Sequence, residues 1–186
     1  MARLVIVSNR VPIPKSRGAT AGGLAVALRD LLTPGTMWFG WSGRLSTEPS
    51  LQPAIVEARG VTYATVDLTA EAHRGFYVGF ANGALWPLLH FRLGLMHFRR
   101  EDYEGYLAVN RAFATSLASV LQPDDTVWAH DYHLIPFARL LREQGFNGRL
   151  GFFLHVPFVP PSMLEAIPVA RELVADLCAY DLVGFQ

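Results

Sequence analysis

Apolar positions along this chain fall into two kinds of run. Short, continuous, largely β-branched runs bounded by polar, Gly or Pro residues mark strands buried on both faces, as in parallel sheets. Arg3–Val7, Met37–Trp41, Ala54–Val56, Val61–Val66, Thr126–Ala129, Leu150–Leu154 and Leu182–Phe185 fit that description. The second of these is expected to close in the loop Ser42-Gly43-Arg44. Val11-Pro12-Ile13-Pro14 is excluded from a central strand, because proline lacks the N–H that a ladder needs.

The other runs have helical spacing. Leu24, Ala27, Leu28, Leu31 and Leu32 predict a helix opened by Ala21-Gly22-Gly23 and stopped by Pro34-Gly35. Thr69 predicts the N-cap of a helix over 70–79 that Asn82-Gly83 breaks. A second apolar helix is expected over 84–95, with Pro87 tolerated in its first turn. Over 101–121, Tyr103, Tyr106, Leu107, Phe113, Ala114, Leu117, Val120 and Leu121 share one stripe, with Asn110 as its polar exception. Further helices are expected over 134–144, stopped by Gly145, and over 162–167 and 169–179. The later half therefore alternates helix and strand, which predicts an α/β fold with a parallel sheet and right-handed crossovers. No internal repeat or low-complexity linker divides the chain, so one domain is expected over 1–186.

Composition acts by exclusion. With 186 residues, 51% hydrophobic and 17% charged, the chain can bury a core and is globular in character. Sixteen Lys+Arg balance sixteen Asp+Glu, so no long-range field favours a polyanion and nucleic acid is not an expected partner. Cys178 is the sole cysteine, which rules out an intrachain disulfide and suits a reducing cytoplasm; it is expected to be inert packing in its helix. No run approaches the roughly 18 apolar residues of a membrane span. The run at Met1–Val7 is too short for a signal peptide. The expectation is a soluble, cytoplasmic protein with no membrane contact; a homo-oligomer is compatible with the sequence.

In open parallel sheets ligands bind beyond the C-terminal strand ends, and polar residues cluster there. Ser8-Asn9-Arg10, His130-Asp131-Tyr132-His133 and His155-Val156-Pro157 each follow an apolar strand. Arg10 offers paired donors that match two phosphate oxygens; a surface ion pair is the alternative. Gly22-Gly23 precedes a helix and lets a phosphate or sugar approach the backbone, or forms a plain tight turn. It does not fit the G-x-G-x-x-G pattern, which argues against a dehydrogenase. Asp131 is read as a carboxylate that accepts hydrogen bonds from sugar hydroxyls, and His133 as a buried, satisfied histidine. A metal held by His130, Asp131 and His133 fits poorly, because the two histidines straddle a strand-to-helix join without a third His ligand nearby. His155 is read as a sugar-facing imidazole. Tyr77 and Trp86, on these residue types alone, are read as core aromatics; the alternative is an aromatic face that walls a sugar ring, with the Tyr77 hydroxyl available to a phosphate or sugar.

Taken together, these segments resemble the trehalose-6-phosphate synthase family. The similarity rests on Arg3–Arg10, Ala21-Gly22-Gly23-Leu24-Ala25, Trp38-Phe39-Gly40-Trp41-Ser42-Gly43, Leu85-Trp86-Pro87-Leu88-Leu89-His90, Trp128–Leu134, Gly151–Phe158 and Tyr180–Gln186, in the family's order. The resemblance implies a Rossmann-like, parallel-sheet N-terminal lobe of a two-lobed, GT-B type glycosyltransferase. It implies transfer of glucose from UDP-glucose to glucose 6-phosphate, with retention and without a catalytic metal or other cofactor. Arg10, Tyr77, Trp86 and Asp131 would hold the acceptor, Gly22 and Gly23 would meet the donor diphosphate, and His155 would contact the donor glucose near the reacting carbon. Asp131 and His155 would be the residues nearest the chemistry. The family pattern continues beyond Gly184-Phe185-Gln186, so residues 1–186 are expected to be one incomplete acceptor-binding lobe, with the C-terminal lobe absent and no transfer by this fragment alone. Two alternatives remain: a related transferase with another phosphorylated acceptor such as glycerol 3-phosphate, and a non-catalytic sugar-phosphate-binding lobe.

Overall fold

A computed structural model describes residues 2–13, 28 and 32–186. Its centre is a seven-stranded sheet: β1 (Leu4–Arg10), β2 (Met37–Ser46), β3 (Ala54–Ala58), β4 (Val61–Thr69), β5 (Thr126–His130), β6 (Arg149–Leu154) and β7 (Leu182–Phe185). The spatial order is β3-β4-β2-β1-β5-β6-β7. Every neighbouring pair is parallel except β3 and β4. That exception has a local cause. Arg59 and Gly60, the two residues joining β3 to β4, both take positive φ (54° and 79°), as a two-residue hairpin of matching twist requires.

Alternation along the strands builds a core on each face. Val5 and Val7, Met37 and Phe39, and Ala64 and Val66 face the larger core, while Ile6, Trp38 and Tyr63 face the smaller one with Val11, Leu28 and Val61. Each of the expected strands is present, but β2 does not close at Trp41. It continues to Ser46 through a register irregularity between Trp41 and Leu45, held by pairing of Leu45 and Ser46 with Leu68 and Thr69 of β4. The helix expected over 21–32 lies almost wholly outside the described residues.

Thr69 caps as expected, its Oγ1 accepting from the N–H of Ala72 at 3.1 Å. The helix it starts is not broken at Asn82-Gly83. A short α-helix, α1 (Ala70–His73), runs directly into a π-helical stretch, Arg74–Leu85, and on into α2 (Trp86–Leu89). Packing overrides the local breakers: Phe76, Phe80, Ala81, Ala84 and Leu85 are buried, and the stretch packs against the long helix α3 (Arg100–Ala118). Asn82 is held by its side chain, which accepts from the Tyr132 hydroxyl at 2.9 Å. The helix expected as far as 95 ends instead after Leu89, where Phe91 adopts φ 60° and a 3₁₀ turn follows at Leu93–Leu95.

In α3 the polar exception is half satisfied: Asn110 is fully buried, and its amide N–H₂ donates to the carbonyls of Tyr106 and His133, both at 3.0 Å, while its Oδ1 has no hydrogen-bond partner among the described residues. A 3₁₀ turn at Tyr132–Leu134 precedes α4 (Phe137–Glu143), so the helix expected from 134 begins three residues later. Two short helices, α5 (Pro161–Leu164) and α6 (Ala170–Leu177), complete the described fold. Cys178 departs from its expectation: it caps the C-terminal end of α6 and is exposed rather than packed.

Candidate functional site

β1 is the point at which the strand order reverses, with β2 and β4 on one side and β5 and β6 on the other. In open α/β sheets a crevice forms at the C-terminal strand ends beside such a point. Arg10 is the last residue of β1, Asp131 follows β5, and His155 follows β6.

The placement of Arg10 depends on an irregularity. Ser8 pairs with Gly40 but Arg10 pairs with Trp41, so Asn9 is an extra residue on β1. Such a bulge re-aims the side chain beyond it. The Arg10 guanidinium lies over the Trp41 indole, 5.9 Å from its centroid, at a cation–π distance. Ser8 anchors the turn: its hydroxyl accepts from Trp38 Nε1 at 2.8 Å and donates to the Arg10 carbonyl at 3.0 Å. Gly43 leaves the room. It has φ 87°, and a Cβ there would stand 2.7–2.9 Å from the guanidinium. Arg10 is exposed and forms no ion pair among the described residues.

From Trp41 a run of neighbouring rings leads to Tyr132. Trp41 meets His73 at 4.9 Å between centroids, His73 meets Tyr77 at 5.1 Å, Tyr77 meets His133 at 5.6 Å, and His133 meets Tyr132 at 4.1 Å. Arg10 stands at one end of this run and Asp131, hydrogen-bonded to Tyr132, at the other. Tyr77 is half-buried within it, not sealed in the core. Trp86 lies further along the same helical stretch, 39% exposed and stacked on His90 at 4.1 Å. His73 joins the site without a signal in the sequence, and Trp41 joins it with no signal beyond its place in the Trp38–Gly43 motif. The bulge at Asn9 that brings Trp41 to Arg10 leaves no signature in residue type alone.

Asp131 is the strained residue of the site. Its φ of 78° and ψ of 164° lie in a region that is essentially reserved for glycine and costs on the order of 1–3 kcal/mol. Four bonds hold it there. Its N–H donates to the Phe153 carbonyl at 2.8 Å, its carbonyl accepts from Leu134 at 3.0 Å, and its Oδ1 accepts from the N–H of Tyr132 at 3.1 Å and of His155 at 3.4 Å. Burial raises its carboxyl above the ordinary range, opposed by those N–H groups and by His155 and His90.

The histidines divide. His155 is half-buried, and burial lowers its pKa while Asp131 opposes the shift. His133 is buried as expected but is not satisfied: neither ring nitrogen has a hydrogen-bond partner, and burial pushes its pKa down to about 3. Among the described residues no three His, Cys, Asp or Glu groups are placed to hold a metal. Gly22 and Gly23 lie outside the described residues. No helix among those described is long and apolar enough to cross a membrane.

Sheet, switch point and strand-end polar residues define a Rossmann-like α/β fold. More specifically, the chain belongs to glycosyltransferase family 20, whose pattern matches residues 2–186. It is similar to the trehalose-6-phosphate synthase of Sinorhizobium fredii, with 50% identity over 190 residues, covering 100% of this chain and 41% of that protein. The UDP-forming α,α-trehalose-phosphate synthase of Burkholderia vietnamiensis superposes with a TM-score of 0.94 at 48% identity, covering 100% of this chain and 40% of the other. The Burkholderia xenovorans enzyme, solved with glucose-6-phosphate, gives 0.91 at 48% identity, again covering 100% and 40%. The chain thus spans about two fifths of the length of the relatives it matches, and it corresponds to the N-terminal portion of GT-B type structures.

Proposed function

We propose that this chain supplies the acceptor side of a retaining glucosyltransferase site, in which glucose passes from UDP-glucose to glucose 6-phosphate to give trehalose 6-phosphate and UDP. The observation that carries the proposal is the position of Arg10 and Asp131 at the two ends of one run of rings. A sugar phosphate has the complementary layout, with an anion at one end and hydroxyls at the other. Arg10 grips the phosphate through charge-assisted paired bonds, and the Tyr77 hydroxyl adds a donor. Asp131 accepts from acceptor hydroxyls, and Trp86 walls the sugar. On the donor side, Gly22 and Gly23 admit the diphosphate to the backbone and His155 faces the glucose being transferred.

The transfer runs on one face of the sugar. The bond from the anomeric carbon to the departing phosphate oxygen breaks as the bond to the acceptor oxygen forms, and the acceptor's proton passes to the phosphate. Double displacement would need a carboxylate nucleophile close to that carbon. Asp131 is committed to the acceptor, so the protein's contribution is positioning and charge stabilisation. No metal or other cofactor enters this scheme. The UDP-forming names of the two Burkholderia relatives, and the glucose-6-phosphate in one of them, support this donor and acceptor. A cytoplasmic setting fits the single Cys178.

Calorimetric titration of the 186-residue chain with glucose 6-phosphate, glycerol 3-phosphate and glucose tests the acceptor. Glucose 6-phosphate is expected to bind tightest; equal or tighter binding of glycerol 3-phosphate would overturn the assignment. The same chain given both substrates is expected to release no UDP, because relatives of this family use a chain about two and a half times as long. Robust turnover by these residues alone would refute that division of labour.

A further inference from the structure

Two imidazoles meet behind the crevice. Nδ1 of His130 lies 2.9 Å from Nε2 of His155, with the rings 5.2 Å apart and tilted by 30°. His130 ends β5, is 1% exposed, and packs against the Trp128 indole at 4.4 Å. Its other ring nitrogen, Nε2, is buried without a hydrogen-bond partner.

Burial keeps both rings neutral at pH 7. It pushes His130 down to about 3, with His155 adding to the shift, and it lowers His155 as well. Two neutral imidazoles share one proton across such a bridge, and the proton can belong to either ring. If His155 donates from Nε2–H, its partner nitrogen on His130 is bare. His130 must then carry its proton on Nε2, where a donor is buried with nothing to receive it. If His130 donates from Nδ1–H, the orphaned Nε2 is only a lone pair. Orphaned buried N–H groups are rarer than under-satisfied acceptors. The His155 backbone N–H also donates to Asp131 Oδ1, which anchors the residue carrying this ring.

We propose that His130 is a positioning residue that locks His155 in the Nδ1–H tautomer, so that His155 presents a ring donor, not an acceptor, to a ligand oxygen. The Trp128 face and the His130–His155 bond fix the ring plane, and the tautomer fixes what the ring can recognise. That the oxygen belongs to the transferred glucose rests on the function proposed above; the tautomer does not.

Long-range ¹H–¹⁵N spectra of the ¹⁵N-histidine-labelled 186-residue chain at pH 7 read each tautomer directly. His130 and His155 are both expected to show a protonated Nδ1 and a bare Nε2. A protonated Nε2 on His155 would overturn the proposal. His130→Asn keeps an amide donor near the place of Nδ1 and is expected to preserve the His155 tautomer. His130→Leu removes the donor and is expected to return His155 to the Nε2–H form; an unchanged tautomer there counts against the proposal. If His130→Leu does not fold, the wild-type and Asn spectra still decide. Adding UDP-glucose separates the two levels of inference. A shifted His155 Nδ1 signal supports both. An unshifted signal on a correctly assigned Nδ1–H supports the His130 role and removes His155 from the donor site.

Discussion

The Tyr77 phenol lies almost parallel to the His133 imidazole, with 10° between the planes and 5.6 Å between the centroids. Tyr132 covers His133 at 4.1 Å and Phe76 approaches at 6.1 Å. With both ring nitrogens unpartnered, His133 acts as a flat spacer that holds Tyr77 in the crevice.

That arrangement makes the fold sensitive to acid. The folded-state pKa of His133 is about 3 against an ordinary value of 6.5. Between those values the unfolded chain binds a proton that the folded chain refuses, so stability rises with pH across the window and is lost as pH falls below about 6.5. The loss approaches about 1.4 kcal/mol per pH unit for such a group. His130 contributes with the same sign, and the raised carboxyls of Asp131 and Asp176 with the opposite sign. His133→Phe isolates the effect. Between pH 7 and 5 the variant should lose about 2 kcal/mol less stability to urea than the wild type. At pH 7 it should be at least as stable, because two unpartnered polar atoms are gone. Parallel losses in both proteins would refute this reading of His133.

Arg10 and Gly43 form a second linked pair. Arg10→Ala should weaken glucose 6-phosphate binding by about 10- to 100-fold, the scale of one charge-assisted contact. Binding of unphosphorylated glucose should change little. Gly43→Ala should mimic that loss, because its methyl group would occupy the space of the guanidinium. Gly145 supplies the control: it has φ 90°, and nothing lies within 4 Å of the place a Cβ would take. Gly145→Ala should therefore cost about 1 kcal/mol of backbone strain without affecting the phosphate. Calorimetry with thermal melts on the three variants decides, and a Gly43→Ala protein of normal phosphate affinity would detach Gly43 from Arg10.

The strand ends are legible in the sequence because they depend on local contrast. Leu4–Val7, Thr126–Ala129 and Leu150–Leu154 are apolar and are followed at once by the segments that carry Arg10, Asp131 and His155. The elements that differ depend on distant partners. Asn82-Gly83 reads as a break until the burial of Phe80, Ala81 and Ala84 against α3 and the bond from Tyr132 to Asn82 are known. His133 reads as satisfied because isolation of a ring among Tyr77, Tyr132 and Phe76 is a tertiary property. Trp41 is visible in the sequence only as an aromatic in a motif; its place under Arg10 needs the bulge at Asn9.

An ion pair between a half-buried Arg3 and a buried Asp125 fixes the start of β1. Arg3 Nη2 lies 2.6 Å from Asp125 Oδ2 and also donates to the Val120 carbonyl at 2.9 Å, while Asp125 Oδ2 accepts from the N–H of Gln122 at 2.8 Å. The Asp125 side chain is fully buried. Removing one partner of such a pair leaves an uncompensated charge, so Asp125→Ala should destabilise the fold by about 3 kcal/mol in urea titrations. Replacement of both residues, Arg3→Met with Asp125→Leu, should recover more than half of that. A double variant no better than Asp125→Ala would show that the geometry at this turn, not the stranded charge, carries the cost.

Asp131 combines strain, burial and a proposed role, and each has its own readout. Its carboxyl is raised above the ordinary value by burial. Its ionised form accepts more strongly from sugar hydroxyls than its protonated form, so acceptor affinity should fall as pH drops through that raised pKa. The phosphate of the ligand also gains a proton, near pH 6, and comparison with Asp131→Asn removes that contribution. At pH 7.5 the Asn variant should bind glucose 6-phosphate about 10-fold more weakly, since a neutral acceptor replaces a charged one. Its remaining pH dependence should be that of the phosphate alone. Superimposable pH profiles for wild type and Asp131→Asn would remove the carboxylate from the acceptor site. Asp131→Gly tests the strain separately. Glycine adopts the φ of 78° freely, and the relief of about 1–3 kcal/mol offsets the lost side-chain bonds. That variant should melt no lower than the wild type while losing the acceptor affinity that depends on the carboxylate. A large drop in its melting temperature would show that the bonds to Tyr132 and His155 outweigh the backbone strain they hold in place.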